Sequence, residues 1–210
     1  MRLFAISVLL LLTVQTGFAQ FYYGIKGGAS LVGMALDQPG ISNEQYRLSY
    51  QAGFYGTQLV SKRVFSRIEL LYANKGFQAE TPSLPAGGSM ESFMMHLHYF
   101  SLPVFAGYMP TEWLFLVLGP EINYRLASRA RFGSESNDAG RFWNERFDLG
   151  IAAGMGYLIN RRINIELRYV HGLREVAPDN FRQIDSQDPF IIDAKSQNRV
   201  FQLSLAYQLN

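Results

Sequence analysis

The stretch Phe147-Asp148-Leu149-Gly150-Ile151-Ala152-Ala153-Gly154-Met155-Gly156-Tyr157-Leu158-Ile159 decides the fold. Its odd positions carry Phe, Leu, Ile, Ala, Met, Tyr and Ile, and its even positions Asp, Gly, Ala, Gly, Gly and Leu. A period of two marks a strand, because successive side chains leave a pleated backbone on opposite faces. Residue size on the less apolar face then separates a membrane barrel from a soluble one. A water-facing surface gains nothing from a row of Gly and Ala. The inside of a barrel of about eight strands has little room and needs them. The apolar face is therefore expected to meet lipid, and the small, polar face to line the lumen.

The alternation recurs along the chain. Phe201, Leu203, Leu205 and Tyr207 share one face of the last segment, with Gln202, Ser204, Ala206 and Gln208 on the other. Ile163, Ile165, Leu167 and Tyr169 alternate with Asn164, Glu166 and Arg168. Eight segments are predicted, over residues 21–32, 47–60, 63–77, 93–108, 112–128, 141–159, 162–174 and 196–209. Several exceed the usual strand of about 5–6 residues and suit a tilted, membrane-crossing strand of about 9–11 residues with extensions. Short connections at Ser61-Lys62, Met109-Pro110-Thr111 and Asn160-Arg161 alternate with long polar ones at 33–46, 78–92, 129–140 and 175–195. This predicts an all-β, eight-stranded antiparallel up-and-down transmembrane barrel, long loops outside and both termini periplasmic. Tyr108, Trp113 and Tyr157 beside short turns, and Tyr72, Tyr124 and Tyr169 toward the long loops, supply the aromatic girdles expected at two membrane interfaces.

The start of the chain reads differently. Arg2, an apolar run over residues 3–14, and the small residues Gly17 and Ala19 have the layout of a secretory signal peptide, with cleavage expected after Ala19. The run is too short for a membrane-spanning helix, which needs about 20 residues. The expected organisation is a signal peptide over 1–19 and one outer-membrane barrel domain over 20–210. The absence of Cys excludes disulfides, thiolate metal sites and a lipid anchor on a terminal cysteine. A net charge of only +2 argues against a nucleic-acid partner.

With the apolar face in lipid, the lumen receives Lys26, Arg67, Glu69, Lys75 and Glu121 from the first half of the chain. Arg125, Arg146, Asp148, Glu166 and Arg168 join them from the second half. Opposite charges recur two or four apart, as Arg67 with Glu69, Glu121 with Arg125, Arg146 with Asp148 and Glu166 with Arg168. Residues so spaced share a strand face. Buried alone, such charges are costly; in a mixed network they satisfy one another. A lumen filled by charged side chains is expected, not a wide channel.

Several stretches resemble the small outer-membrane barrels of Bacteroidota that include PorT-like proteins. Tyr23-Gly24-Ile25-Lys26-Gly27-Gly28 is similar to that family's first strand, and Ile68-Glu69-Leu70-Leu71-Tyr72-Ala73-Asn74-Lys75-Gly76 to its third. Phe100-Ser101-Leu102-Pro103-Val104 resembles its fourth and Leu118-Gly119-Pro120 its fifth. The resemblance spans the chain after the leader. It implies a barrel in the outer membrane, in the porin family in the broad sense, and no single activity. Some relatives serve protein secretion or gliding. Many outer-membrane barrels end in Phe, read by the assembly machinery. This chain ends Leu209-Asn210, leaving Tyr207 as the terminal aromatic.

Chemistry is sparse. His96 and His98 share a face near Met90, Met94 and Met95, but no third fixed ligand for a soft metal is evident. His171 has no Ser two places on, and Ser101 lies on the opposite face from His96 and His98, so no nucleophile–base pair emerges. Asp179, Asp185, Asp188 and Asp193 lack the spacing of a calcium loop. No catalytic residue, metal site or cofactor is predicted. Arg129, Arg131 and Arg141 around the third long loop are candidates for contact with lipopolysaccharide phosphates, since guanidinium grips phosphate oxygens in pairs. The expected function is a structural or interaction barrel acting through its loops. Expected partners are outer-membrane lipid, lipopolysaccharide, the barrel assembly machinery and a protein at the loops. The alternatives are a narrow porin-like pore, a secretion-system accessory and, last, a lipid A-modifying enzyme.

Overall fold

The computed structural model describes residues 20–36, 46–76, 78–80, 92–132, 135–138, 146–174 and 196–210. The leader over 1–19 and most of the long-loop sequence, including Arg141, Met90 and the four aspartates of the last loop, lie outside the described residues.

The strands are β1 (Phe21–Leu36), β2 (Arg47–Leu59), β3 (Val64–Lys75), β4 (Gln78–Glu80), β5 (Ser92–Tyr108), β6 (Leu114–Phe132), β7 (Glu135–Asp138), β8 (Phe147–Leu158), β9 (Ile163–Gly172) and β10 (Ser196–Gln208). Eight of them close a ring in the order β1-β2-β3-β5-β6-β8-β9-β10, each antiparallel to its neighbours, and β1 pairs with β10 from Gly24↔Gln208 to Leu36↔Ser196. Closure leaves no first or last strand in the eight-stranded ring, as an open sheet would have and lipid could not tolerate.

The eight long strands lie where the alternation put them. The differences are at the loop end. β1 runs on to Leu36, β6 runs on to Phe132, and β4 and β7 stand where loop was expected. Each extension has a partner for its backbone groups. Arg129–Phe132 pairs with β5 on one side and with β7 on the other. Gly76, at φ 130°, breaks β3, and β4 resumes against β5 in the same register, Lys75↔Leu97 then Gln78↔Met94. Polar residues in 78–80, 129–132 and 135–138 hid strands whose stability comes from pairing. The sixth segment, expected from 141, is strand from Phe147, and residues 141–145 are outside the described set.

The short turns share one device. Ser61 Oγ accepts from the amides of Arg63 and Val64, Thr111 Oγ1 from those of Trp113 and Leu114, and Asn160 Oδ1 from those of Arg162 and Ile163. A Ser, Thr or Asn oxygen thus satisfies amides that the hairpin leaves unpaired. At the seam, the Asn210 side chain accepts from Tyr23 N (2.8 Å) and donates to Phe21 O (2.9 Å), extending the β1–β10 ladder with a carboxamide in place of a peptide group.

Burial is inverted relative to a water-soluble barrel. Leu203 is 52% exposed while its neighbours Gln202 and Ser204 are 2% and 3% exposed. Ile25, Phe54, Leu70, Leu118, Ile151 and Leu167 are likewise exposed, against buried Lys26, Glu69, Glu121 and Arg168. A water-exposed apolar skin of this extent would be strongly unfavourable; in hydrocarbon it is the solvated state.

Candidate functional site

The lumen is built in layers. Toward the short turns it holds three rings, Phe65, Phe105 and Phe115, with Leu59, Met109 and Leu158 packed against them. The rings fit because glycines face them. A Cβ on Gly107 would stand 2.1 Å from Phe65 Cζ, and one on Gly156 2.0 Å from Phe115 Cζ. Both distances are far inside van der Waals contact, so Gly107 of β5 and Gly156 of β8 make space for the aromatic side chains opposite them on the neighbouring strands.

Five charges stack on this layer. Glu69 accepts from Lys26 Nζ at 3.2 Å and, in a fork, from Arg168 Nη1 at 3.0 Å and Nη2 at 2.9 Å. Glu166 meets Lys26 Nζ at 2.9 Å, Arg67 Nη1 at 3.0 Å and Arg168 Nη2 at 2.5 Å. Arg67 Nε donates to Thr57 Oγ1 at 3.0 Å. The guanidinium carbons face rings, with Arg168 Cζ 4.3 Å from the Phe105 centroid and Arg67 Cζ 4.9 Å from that of Phe115. Planar, weakly hydrated guanidinium can face a ring and bind carboxylate together, which ammonium does poorly.

A second cluster lies farther toward the loops. Lys75 Nζ donates to Glu121 Oε1 at 2.7 Å and Asn123 Oδ1 at 2.9 Å, and stands 5.5 Å from the Tyr99 ring. Ser101 donates to the same Asn123 oxygen. Arg125 is buried and bonds the Tyr99 hydroxyl. Asp148 accepts from Asn198 Nδ2 at 3.1 Å.

Nine of the ten residues assigned to the lumen are thus buried within it. Arg146 is not. It precedes β8, is exposed, and donates to the Tyr124 hydroxyl at 3.3 Å. Where the chain leaves the sheet, strand parity no longer directs its side chain. The pairing also differs from the along-strand pattern. Glu166 with Arg168 pairs within a strand, whereas Arg67 meets Glu166, Glu69 meets Lys26 and Arg168, and Glu121 meets Lys75. In so narrow a barrel a long side chain reaches the opposite wall, and pairing there fills the axis. The phenylalanine layer was missed in the sequence, although its signal was present. Phe65 shares parity with Arg67 and Glu69, and Phe115 with Glu121.

Of the arginines considered for phosphate contact, Arg129 is exposed on β6, Arg131 lies on the same strand with its side chain outside the described residues, and Arg141 is outside them altogether. His98 Nδ1 and the Tyr72 hydroxyl are 2.6 Å apart, and His171 faces Tyr169. Ser101, being inside, is separated by the wall from both outward histidines on its strand.

Comparison with known proteins agrees with this architecture. The fold is similar to Ail, the attachment invasion locus protein of Yersinia pestis, at 11% identity and TM-score 0.52, covering 90% of this chain and 99% of that one. It is also similar to Neisserial surface protein A, at 11% identity and TM-score 0.50, covering 92% and 100%. No curated protein matches the sequence. Residues 17–177 match the outer membrane protein beta-barrel domain, a span that includes nine of the ten strands, all but β10. The chain therefore belongs to the outer membrane protein beta-barrel domain family.

Proposed function

We propose that this protein is a sealed, non-enzymatic outer-membrane barrel that acts through the surface and loops at its long-connection end, both termini lying in the periplasm. One observation carries the reading: the Lys26–Arg67–Glu69–Glu166–Arg168 cluster joins opposite walls directly above the Phe65, Phe105 and Phe115 rings. Ions crossing that section must break charge-assisted bonds in a dry setting and then pass an apolar layer, both steeply unfavourable. Binding on such a scaffold falls to the loops, which a rigid barrel holds in place. On this reading it resembles the PorT-like barrels of Bacteroidota, a likeness carried by Tyr23–Gly28 and Ile68–Gly76.

Planar-bilayer recording of the purified barrel tests the reading. It predicts no steady single-channel conductance for the parent. A steady conductance that Arg67→Gln or Glu69→Gln alters would establish a narrow pore instead.

A further inference from the structure

The outside of the barrel near the long connections carries an array that plain alternation hides. β5 and β6 change register between His98 and Tyr99, with Tyr99 opposite Arg125 and His98 opposite Ala127. Leu126 is the extra residue of a bulge. In an unbroken ladder Arg125 and Arg129, four apart, would share the lumen face. The bulge separates them. Arg125 is buried, Leu126 and Ala127 are both exposed, Ser128 turns in, and Arg129 points out. Arg129 lies cross-strand from His96. His96 and His98, half-buried, alternate with the lumenal Leu97 and Tyr99 and so sit on the same outer surface.

The adjoining wall is notched. The β2–β3 ladder stops at Gln51↔Ala73, although β2 extends to Arg47 and β3 to Lys75. In the notch the Arg47 guanidinium donates to Asn74 Oδ1 and Lys75 O, both at 3.0 Å, and stands 3.0 Å from His96 Nδ1. Tyr72 stacks on His98 at 5.9 Å, and Tyr50 stands 6.3 Å from Tyr72. Beneath the array the outer wall is apolar, with Leu70, Phe100 and Leu102 exposed. The lumenal carboxylates Glu121 and Asp148 are buried on the other side of the wall, and the acidic residue opposite Arg129 in register is Asp138.

We propose that Arg47, His96, His98 and Arg129 form a binding site for the phosphate-monoester headgroup of a lipid in the adjoining leaflet, its acyl chains lying along the apolar strip below. Two guanidinium groups present the forked donors that phosphate oxygens accept in pairs, and imidazoles add further donors. Tyrosines beside them mark the headgroup level, where rings with one polar end settle. The half-buried Arg47 guanidinium, partly shielded from water, attracts an anion more strongly than it would in bulk water. The site rests on the outward face meeting lipid and is independent of whether the lumen is sealed.

The test is native mass spectrometry of the full barrel in maltoside micelles, titrated with phosphatidic acid, phosphatidylglycerol or phosphatidylcholine. The parent is expected to retain one phosphatidic acid in preference to the other two. Arg47→Gln and Arg129→Gln are each expected to weaken retention about tenfold, the loss of one charge-assisted contact. Arg63→Gln and Arg161→Gln, exposed at the opposite end, should leave it unchanged. Arg129 is exposed, so its variant keeps the test decisive if Arg47→Gln fails to fold. Equal retention in parent and both variants, no preference over phosphatidylcholine, or an equal loss in the turn-side variants would overturn the site. Displacement of the lipid by millimolar inorganic phosphate would assign it to the free anion. Bilayer conductance is untouched by any of these results, so failure here leaves the sealed-lumen reading standing.

Discussion

Neutralising Glu69 should destabilise the barrel more than any single change on its outer surface. The carboxylate takes three donated bonds, one from Lys26 and two from Arg168, and its side chain has no exposure. In Glu69→Gln, Lys26, Arg67 and Arg168 are left to share Glu166 alone. Breaking a buried pair by removing one partner costs about 3–5 kcal/mol. Against a usual stability of about 5–15 kcal/mol, that is a large fraction. The assay is reversible urea unfolding of the barrel in phosphatidylcholine vesicles, followed by tryptophan fluorescence. Adding Lys26→Met removes one stranded cation and should recover part of the loss, with a coupling of about 2–3 kcal/mol in the double-mutant cycle. A loss below about 1 kcal/mol, the usual worth of a solvated pair, would mean that water fills the lumen. Strict additivity of the two changes would mean that the cluster is not a unit.

Three further outcomes follow from the geometry. Leu203→Arg places a charge in the lipid-facing band and should cost about 2–4 kcal/mol in the same vesicle assay, whereas Ser204→Arg should fail by overfilling the lumen and show no dependence on bilayer thickness. Gly156→Ala drives a methyl into the Phe115 ring and should cost about 1–3 kcal/mol, recovered when Phe115→Leu is added; an unchanged midpoint in the single variant would refute the packing. Asn210→Ala removes two hydrogen bonds at the β1–β10 seam and should lower stability by about 1–2 kcal/mol while speeding hydrogen exchange at the Tyr23 amide; unaltered exchange there would show that the clasp contributes nothing.

Period two exposes the wall of a barrel almost completely, since one residue fixes the facing of its whole strand. The row from Gly150 to Gly156 and the exposed Leu203 belong to the same argument, and together they set eight strands and their inside. Three things were not legible. Which charge meets which depends on contacts across the axis, such as Arg67 with Glu166, and no spacing along one strand encodes the width of a barrel. The bulge at Tyr99 inverts parity beyond Arg125, so Arg129 could not be faced from the sequence alone. Arg146 marks the third limit, since a side chain just past a strand end answers to local partners such as Tyr124. The phenylalanine layer was legible in principle, since Phe65 and Phe115 share the parity of Arg67 and Glu121, but apolar residues on the polar face carry no periodic signal of their own.

The chain has no cysteine, so single cysteines can carry nitroxide labels along β10 one position at a time. The most direct test of the inverted barrel is electron paramagnetic resonance of labels at 201 to 207 in lipid vesicles, comparing collision with oxygen, which concentrates in lipid, and with a water-soluble nickel chelate. High oxygen access at 201, 203, 205 and 207, with low access to both reagents at 202, 204 and 206, is the result this fold predicts. Oxygen access peaking at the even positions, or nickel access at Leu203 and Leu205, would contradict it.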